Sequence, residues 1–117
     1  MLKKKYKIKK TAFPEIVSKG KTFHSPHFTL RVLYKKEKAH NNPLFSFIVS
    51  SKVKRNATDR NLLKRRGYAI VAKTINDVSV QNNMYAFFLK KGVGSLSFPE
   101  MKEEIIFLLK KSNASSN

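Results

Sequence analysis

No residue of the chain is cysteine, which excludes disulfides, thiolate zinc sites and thiol catalysis outright. Long apolar runs are missing as well. The longest, Met84 to Leu89, falls far short of the roughly 20 residues that span a bilayer as a helix. The basic start, Met1 to Lys10, leads into no apolar segment of the kind a secretory signal carries, and no long amphipathic helix suits a membrane surface. A cytoplasmic protein without a membrane partner is expected. Glycine and proline are scarce, four of each, and thinly spread, leaving no interior linker and no internal repeat. One domain over 11–111 is expected, preceded by a flexible basic arm over 1–10 and followed by a flexible tail over 112–117. Acids are the last scarcity: seven Asp and Glu stand against twenty-five Lys and Arg, for a net charge of +18. Folding so much like charge together is unfavourable unless a polyanion relieves it, so nucleic acid is the default partner.

The few acids also limit chemistry. A protein that cut RNA alone would need a metal-binding carboxylate cluster or a histidine pair tuned as acid and base. Asp59 and Asp77 fall at opposite ends of one predicted helix. Glu100, Glu103 and Glu104 crowd the first turns of another, where the helix dipole accounts for them. His24 and His27 lie three apart with no third ligand in sight. Neither a catalytic residue nor a metal site is expected in the protein itself.

What is present patterns into an α/β chain of order αβββαβα. Thr11 is placed to cap a first helix in which Phe13, Ile16 and Val17 fall at i, i+3 and i+4, with Pro14 in the first turn and Gly20 as the stop. Lys21 to Ser25 and His27 to Lys35 form a strand pair broken at Pro26, with Phe28, Leu30, Val32 and Tyr34 alternating against Thr29 and Arg31. A polar loop over 35–42 leads to Leu44 to Ser50, where Phe45, Phe47 and Val49 point one way and Leu44 and Ile48 the other. Apolar on both faces, this strand is predicted to be internal. Asn56 and Asp59 resemble a capping box opening a long helix at Ala57, with Leu63, Ile70, Val71, Thr74 and Ile75 as its inner stripe. Met84 to Leu89 is a second internal strand. Ser97 with Glu100 opens a last helix whose Met101, Ile105, Leu108 and Leu109 point inward. Strand, long helix and strand in succession predict a parallel pair inside a mixed four-stranded sheet, an α+β two-layer domain.

Lys52, Lys54, Arg55, Arg60, Lys64, Arg65 and Arg66 then place seven cations within fifteen residues. On the helix, Arg60, Asn61, Lys64 and Arg65 spread over roughly 140° from one edge of the apolar stripe. Lys54 and Arg55 stand just before it, where free N–H groups and the dipole already favour phosphate. A merely solvated face usually mixes signs, yet Asp59 is the only acid between Glu37 and Asp77. The pattern points to a ridge of Lys52, Lys54, Arg55, Arg60, Asn61, Lys64 and Arg65 that binds RNA phosphates. The charge alone equally fits a structural RNA-binding protein such as a ribosomal protein. A DNA-compacting protein would want a dimer interface or a minor-groove arm.

The run Val49-Ser50-Ser51-Lys52-Val53-Lys54-Arg55-Asn56-Ala57-Thr58-Asp59-Arg60-Asn61-Leu62-Leu63-Lys64-Arg65 resembles the signature of the bacterial ribonuclease P protein family. Lys52, Arg55, Ala57, Arg60, Asn61, Lys64 and Arg65 match without a gap, and the element order is similar along nearly the whole chain. Leu62 stands where the family usually has a second Arg, Ser51 where it has Lys, and Gly67-Tyr68 where helix-favouring and basic residues are common. The resemblance implies that the ridge contacts ribonuclease P RNA and that a cleft between the first helix and the sheet holds the single-stranded 5′ leader of precursor tRNA. Phe13, Phe28 and Arg31 match cleft positions, and Val17 stands where some relatives carry a second aromatic. Aromatic faces beside cations stack unpaired bases without demanding sequence, while core packing is the commoner role of a Phe at these spacings. The resemblance further implies a left-handed βαβ crossover, against the general preference. It also implies catalysis by the RNA with bound Mg²⁺, which protein side chains alone do not hold. The implied partners are ribonuclease P RNA and precursor tRNA, with no DNA.

Overall fold

Residues 4–34, 42–77 and 80–114 are described in the computed structural model. Their order is α1 (Phe13–Lys19), β1 (Lys21–His24), β2 (Phe28–Leu33), β3 (Leu44–Ile48), α2 (Ala57–Asp77), β4 (Met84–Leu89) and α3 (Phe98–Ala114), with 3₁₀ turns at Lys4–Tyr6, Lys10–Ala12 and Val93–Ser95. The αβββαβα order is thus as the sequence predicts. The strands form one sheet in the order β1-β2-β4-β3, antiparallel except for the parallel β3–β4 pair joined through α2. The loop expected over 35–42 lies outside the described residues except at Asn42, as do 1–3 of the arm and 115–117 of the tail.

Register decides what each side of the sheet does. Leu30, Phe87 and Phe47 lie in one row across β2, β4 and β3, and Val32, Tyr85 and Phe45 in the next. These side chains share a face with Phe23, Phe28 and Leu89, and α2 and α3 cover that face with Leu63, Ile70, Val71, Met101, Ile105, Leu108 and Leu109. Phe47 and Phe87 stack at 5.0 Å, and Phe45 and Tyr85 at 5.4 Å. Burying one such ring contributes about 1.5–3 kcal/mol, so this layer holds the domain together. The opposite face carries Leu33, Ala86, Leu44 and Met84, covered by Ile16 of α1 and Ile8 of the arm.

Gly67 explains how α2 lies so close to β3. A Cβ there would stand 2.5 Å from Phe47 Cδ1, so the glycine costs helix propensity and admits the ring. The starts of α2 and α3 are capped by side chains. Asn56 Oδ1 accepts from Thr58 N at 2.8 Å, and Ser97 and Glu100 form the full reciprocal box, with Ser97 N donating to Glu100 and Glu100 N donating to Ser97 Oγ.

Four expectations change. β3 is an edge strand, not an internal one. It is apolar on both faces because both faces of the sheet are covered, and two-sided burial carries no information about lateral neighbours. From Lys4 on, the arm is packed rather than free: Lys7 bridges Phe45 in parallel, and Ile8 N donates to Phe45 O at 3.0 Å. At the other end α3 runs on to Ala114, with Ser112 buried. Thr11 does not cap α1; the preceding residue Ala12 offers no side-chain bond.

Candidate nucleic-acid interface

The seven ridge residues fall in the β3–α2 loop and the first turns of α2 but divide their work. Arg60 is half-buried, and its Nη1 donates to Lys54 O at 2.9 Å and Arg55 O at 2.7 Å. It therefore ties the loop after β3 to the first turn of α2. A guanidinium has further N–H donors, so Arg60 shapes the site while leaving capacity for a phosphate. Lys54 lies over Gly94, where a Cβ would meet its Cε at 2.7 Å. The β3–α2 loop therefore passes close to the β4–α3 loop.

The other five line two hollows. Lys52 and Arg55, with Ser51 and Lys91, surround one of about 500 Å³. Asn61, Lys64 and Arg65, with Lys7 and Tyr68, surround a smaller one of about 180 Å³. Lys91 was missed in the sequence, although a parallel β3–β4 pair puts the loops after both strands side by side. Lys7 and Tyr68 were missed because the arm had no assigned place.

The expected cleft residues part company across the sheet. Arg31 shares a face with Thr22 and lies beside α1, where its Nη2 donates to Val17 O at 2.5 Å and Gly20 O at 3.1 Å, its Nε to Ile16 O at 3.3 Å and its Nη1 to Thr22 Oγ1 at 2.5 Å. It satisfies the carbonyls left over at the helix end and sets a positive charge on the negative end of the dipole. Gly20 completes this corner, since a Cβ there would collide with Ile16 O. Phe13 is half-buried against the sheet, and Val17 is 56% exposed. Phe28 does not belong with them. It is wholly buried on the opposite face, edge-on to Phe87 at 6.2 Å, because residues 28 and 31 differ in strand parity. Beside α1 the row Thr29, Phe88 and Ile48 runs across β2, β4 and β3 and is only half covered. Phe88 was the aromatic of that face to be found, and period two applied to Met84–Leu89 points to it.

These features match known proteins. The family model of ribonuclease P aligns with residues 2–113, nearly the whole chain. This chain belongs to the ribonuclease P protein family. Its fold is similar to that of the ribonuclease P protein of Staphylococcus aureus, with a TM-score of 0.77 and 20% identity over 92% of this chain and 94% of that one. The Thermotoga maritima ribonuclease P protein gives a TM-score of 0.77 and 19% identity, covering 90% and 96%. A second S. aureus structure gives 0.74 and 23%, covering 96% and 92%. No curated protein matches in a sequence search. As a ribonuclease P protein, the chain is a component of the endoribonuclease that processes tRNA 5′ ends, and RNA is its class of partner.

In this ribonuclease P protein Asp59 is the one acid within the ridge helix's first turn, while Glu100, Glu103 and Glu104 of α3 lie beside Ser25 and His27. Glu104 accepts from Ser25 Oγ at 2.5 Å and His27 N at 2.6 Å on Oε1, and pairs with His27 Nδ1 at 3.0 Å on Oε2. Partial burial opposes its ionisation, but these hydrogen bonds and the His27 ring outweigh that and hold its pKa below the ordinary value. Glu104 thus pins the β1–β2 corner to α3, a duty beyond the dipole. Among the described residues no three of His, Asp or Glu gather as metal ligands, and none of the described helices is long and apolar enough to cross a membrane.

Proposed function

We propose that the two hollows and the loop between them bind the RNA subunit of ribonuclease P, and that the half-covered row beside α1 receives the 5′ leader of precursor tRNA. One observation carries the reading: two hollows, one lined by Lys52, Arg55 and Lys91 and the other by Asn61, Lys64, Arg65 and Lys7, are both rich in cations and both built largely from the signature run 49–65. Phe88 and Ile48 of the sheet, with Phe13 and Val17 of α1, offer the apolar surface on which bases stack, and Arg31 fixes the helix that borders it. The protein works in the cytoplasm, binding neither DNA nor membrane.

The side chains present do not fit a Mg²⁺ site, since hard cations take oxygen donors and this surface is cationic. In this reading Mg²⁺ is held by the RNA, whose phosphates the protein's cations screen. Substituting Lys64→Ala or Arg65→Ala is expected to weaken binding to a bacterial ribonuclease P RNA and to lower the salt slope by somewhat under about one unit each. Titrations at several salt concentrations check this, and slopes unchanged in both variants would show that the ridge faces solvent.

A further inference from the structure

Asn61, Lys64, Arg65 and Tyr68 are spaced i, i+3, i+4 and i+7, so α2 presents them along one stripe. The stripe runs beside the outer edge of β3. There the arm approaches, and Lys7 sets its ammonium 4.9 Å from the centre of the Tyr68 ring. Tyr68 is held in place twice over: Phe47 N donates to its hydroxyl at 3.4 Å, and its ring meets Phe47 at 5.1 Å and 80°. An aromatic ring that packs against the core through Phe47 is therefore held fixed where it also lines a basic hollow.

From this geometry we infer that the hollow is a niche for one unpaired nucleobase of the RNA partner, which stacks on Tyr68 in place of Lys7. The volume of about 180 Å³ is below that of drug-sized ligand sites and equals about six waters at roughly 30 Å³ each, room for a single planar ring system. An exposed cation–π contact is weaker than a base stack, so a base displaces the lysine and loses little by it. Released, Lys7 sits beside Lys64 and Arg65 to meet the phosphate of the same nucleotide. Asn61 carries both a donor and an acceptor for the base edge. The niche deepens the ridge reading and rests on it. It also gives Tyr68, a departure from the basic residues usual there, a use.

The test takes the full chain with an in vitro transcript of a bacterial ribonuclease P RNA. Tyr68→Phe keeps the ring and is expected to bind like the unaltered protein. Tyr68→Leu is expected to bind about tenfold more weakly with an unchanged salt slope, because no charge is lost. Lys7→Ala is expected to lower the slope by about one phosphate contact. Ultraviolet irradiation of the unaltered complex, read by mass spectrometry, is expected to place a nucleotide adduct on Tyr68, a readout independent of whether any variant folds. Wild-type affinity for Tyr68→Leu with no adduct at Tyr68, while Arg65→Ala still lowers the salt slope, would overturn the niche alone. Unchanged slopes in Arg65→Ala and Lys64→Ala would overturn the ridge, and the niche with it.

Discussion

At the scale of single residues, side chains of one charge do different jobs, and their hydrogen-bond partners separate them. Arg31 spends four donor contacts on the end of α1 and on Thr22, so Arg31→Ala should cost about 2 kcal/mol, the order of a charged hydrogen bond. A lowered melting temperature is the expected result; an unchanged melt with selective loss of precursor over mature tRNA would instead mark Arg31 as a leader contact. Leu62 is the converse case. It is 41% exposed on α2, where the family usually has Arg, and nothing in the fold requires it. Leu62→Arg should fold normally, tighten binding to ribonuclease P RNA and steepen the salt slope by somewhat under about one unit. Weaker binding by a folded Leu62→Arg would mean that the leucine touches a base or sugar. Phe28 shows how far the sequence was legible at this scale. The alternation that places Phe28 with Leu30 and Val32 already separates it from Arg31, and a family correspondence assigned both to one cleft.

At the scale of elements, type and order are legible because periods of two and 3.6 are strong signals in this chain, and both later helices open on readable caps. Lateral position is not legible. β3 carries Phe45, Phe47, Leu44 and Ile48 on its two faces, and nothing in that pattern tells an internal strand from an edge whose faces are both covered. The arm was equally opaque: six lysines within 2–10 read as solvated chain, while Ile8, one apolar residue among them, supplies the anchor on the α1 side of the sheet. The corner between β1 and β2 is held to α3 by Glu104, which offers a pH test. Its folded pKa lies below the ordinary 4.5, so the stability it contributes is fully present above that value and is lost as the pH falls through the folded pKa. Glu104→Gln should melt lower than the unaltered protein at neutral pH, and the difference should shrink below about pH 4. A constant difference from neutral to acid pH would show that the carboxylate's charge is not what pins the corner.

At the scale of the whole molecule, charge and fold divide the surface. A net +18 is concentrated on the arm, the β3–α2 loop and α2, while the acids of α3 stand at the β1–β2 corner. A protein using about six phosphate contacts should lose on the order of a thousandfold in RNA affinity between about 50 and about 200 mM salt. The same contacts, by screening phosphates, should matter most when Mg²⁺ is scarce. The most direct measurement is cleavage of a precursor tRNA by a bacterial ribonuclease P RNA at low Mg²⁺, with and without the rigorously RNA-free protein. The expected result is leader removal that the protein strongly stimulates, that Lys64→Ala with Arg65→Ala reduces, and that the protein alone does not perform. No stimulation at any Mg²⁺ concentration, or specific 5′ cleavage by the protein alone, would contradict it.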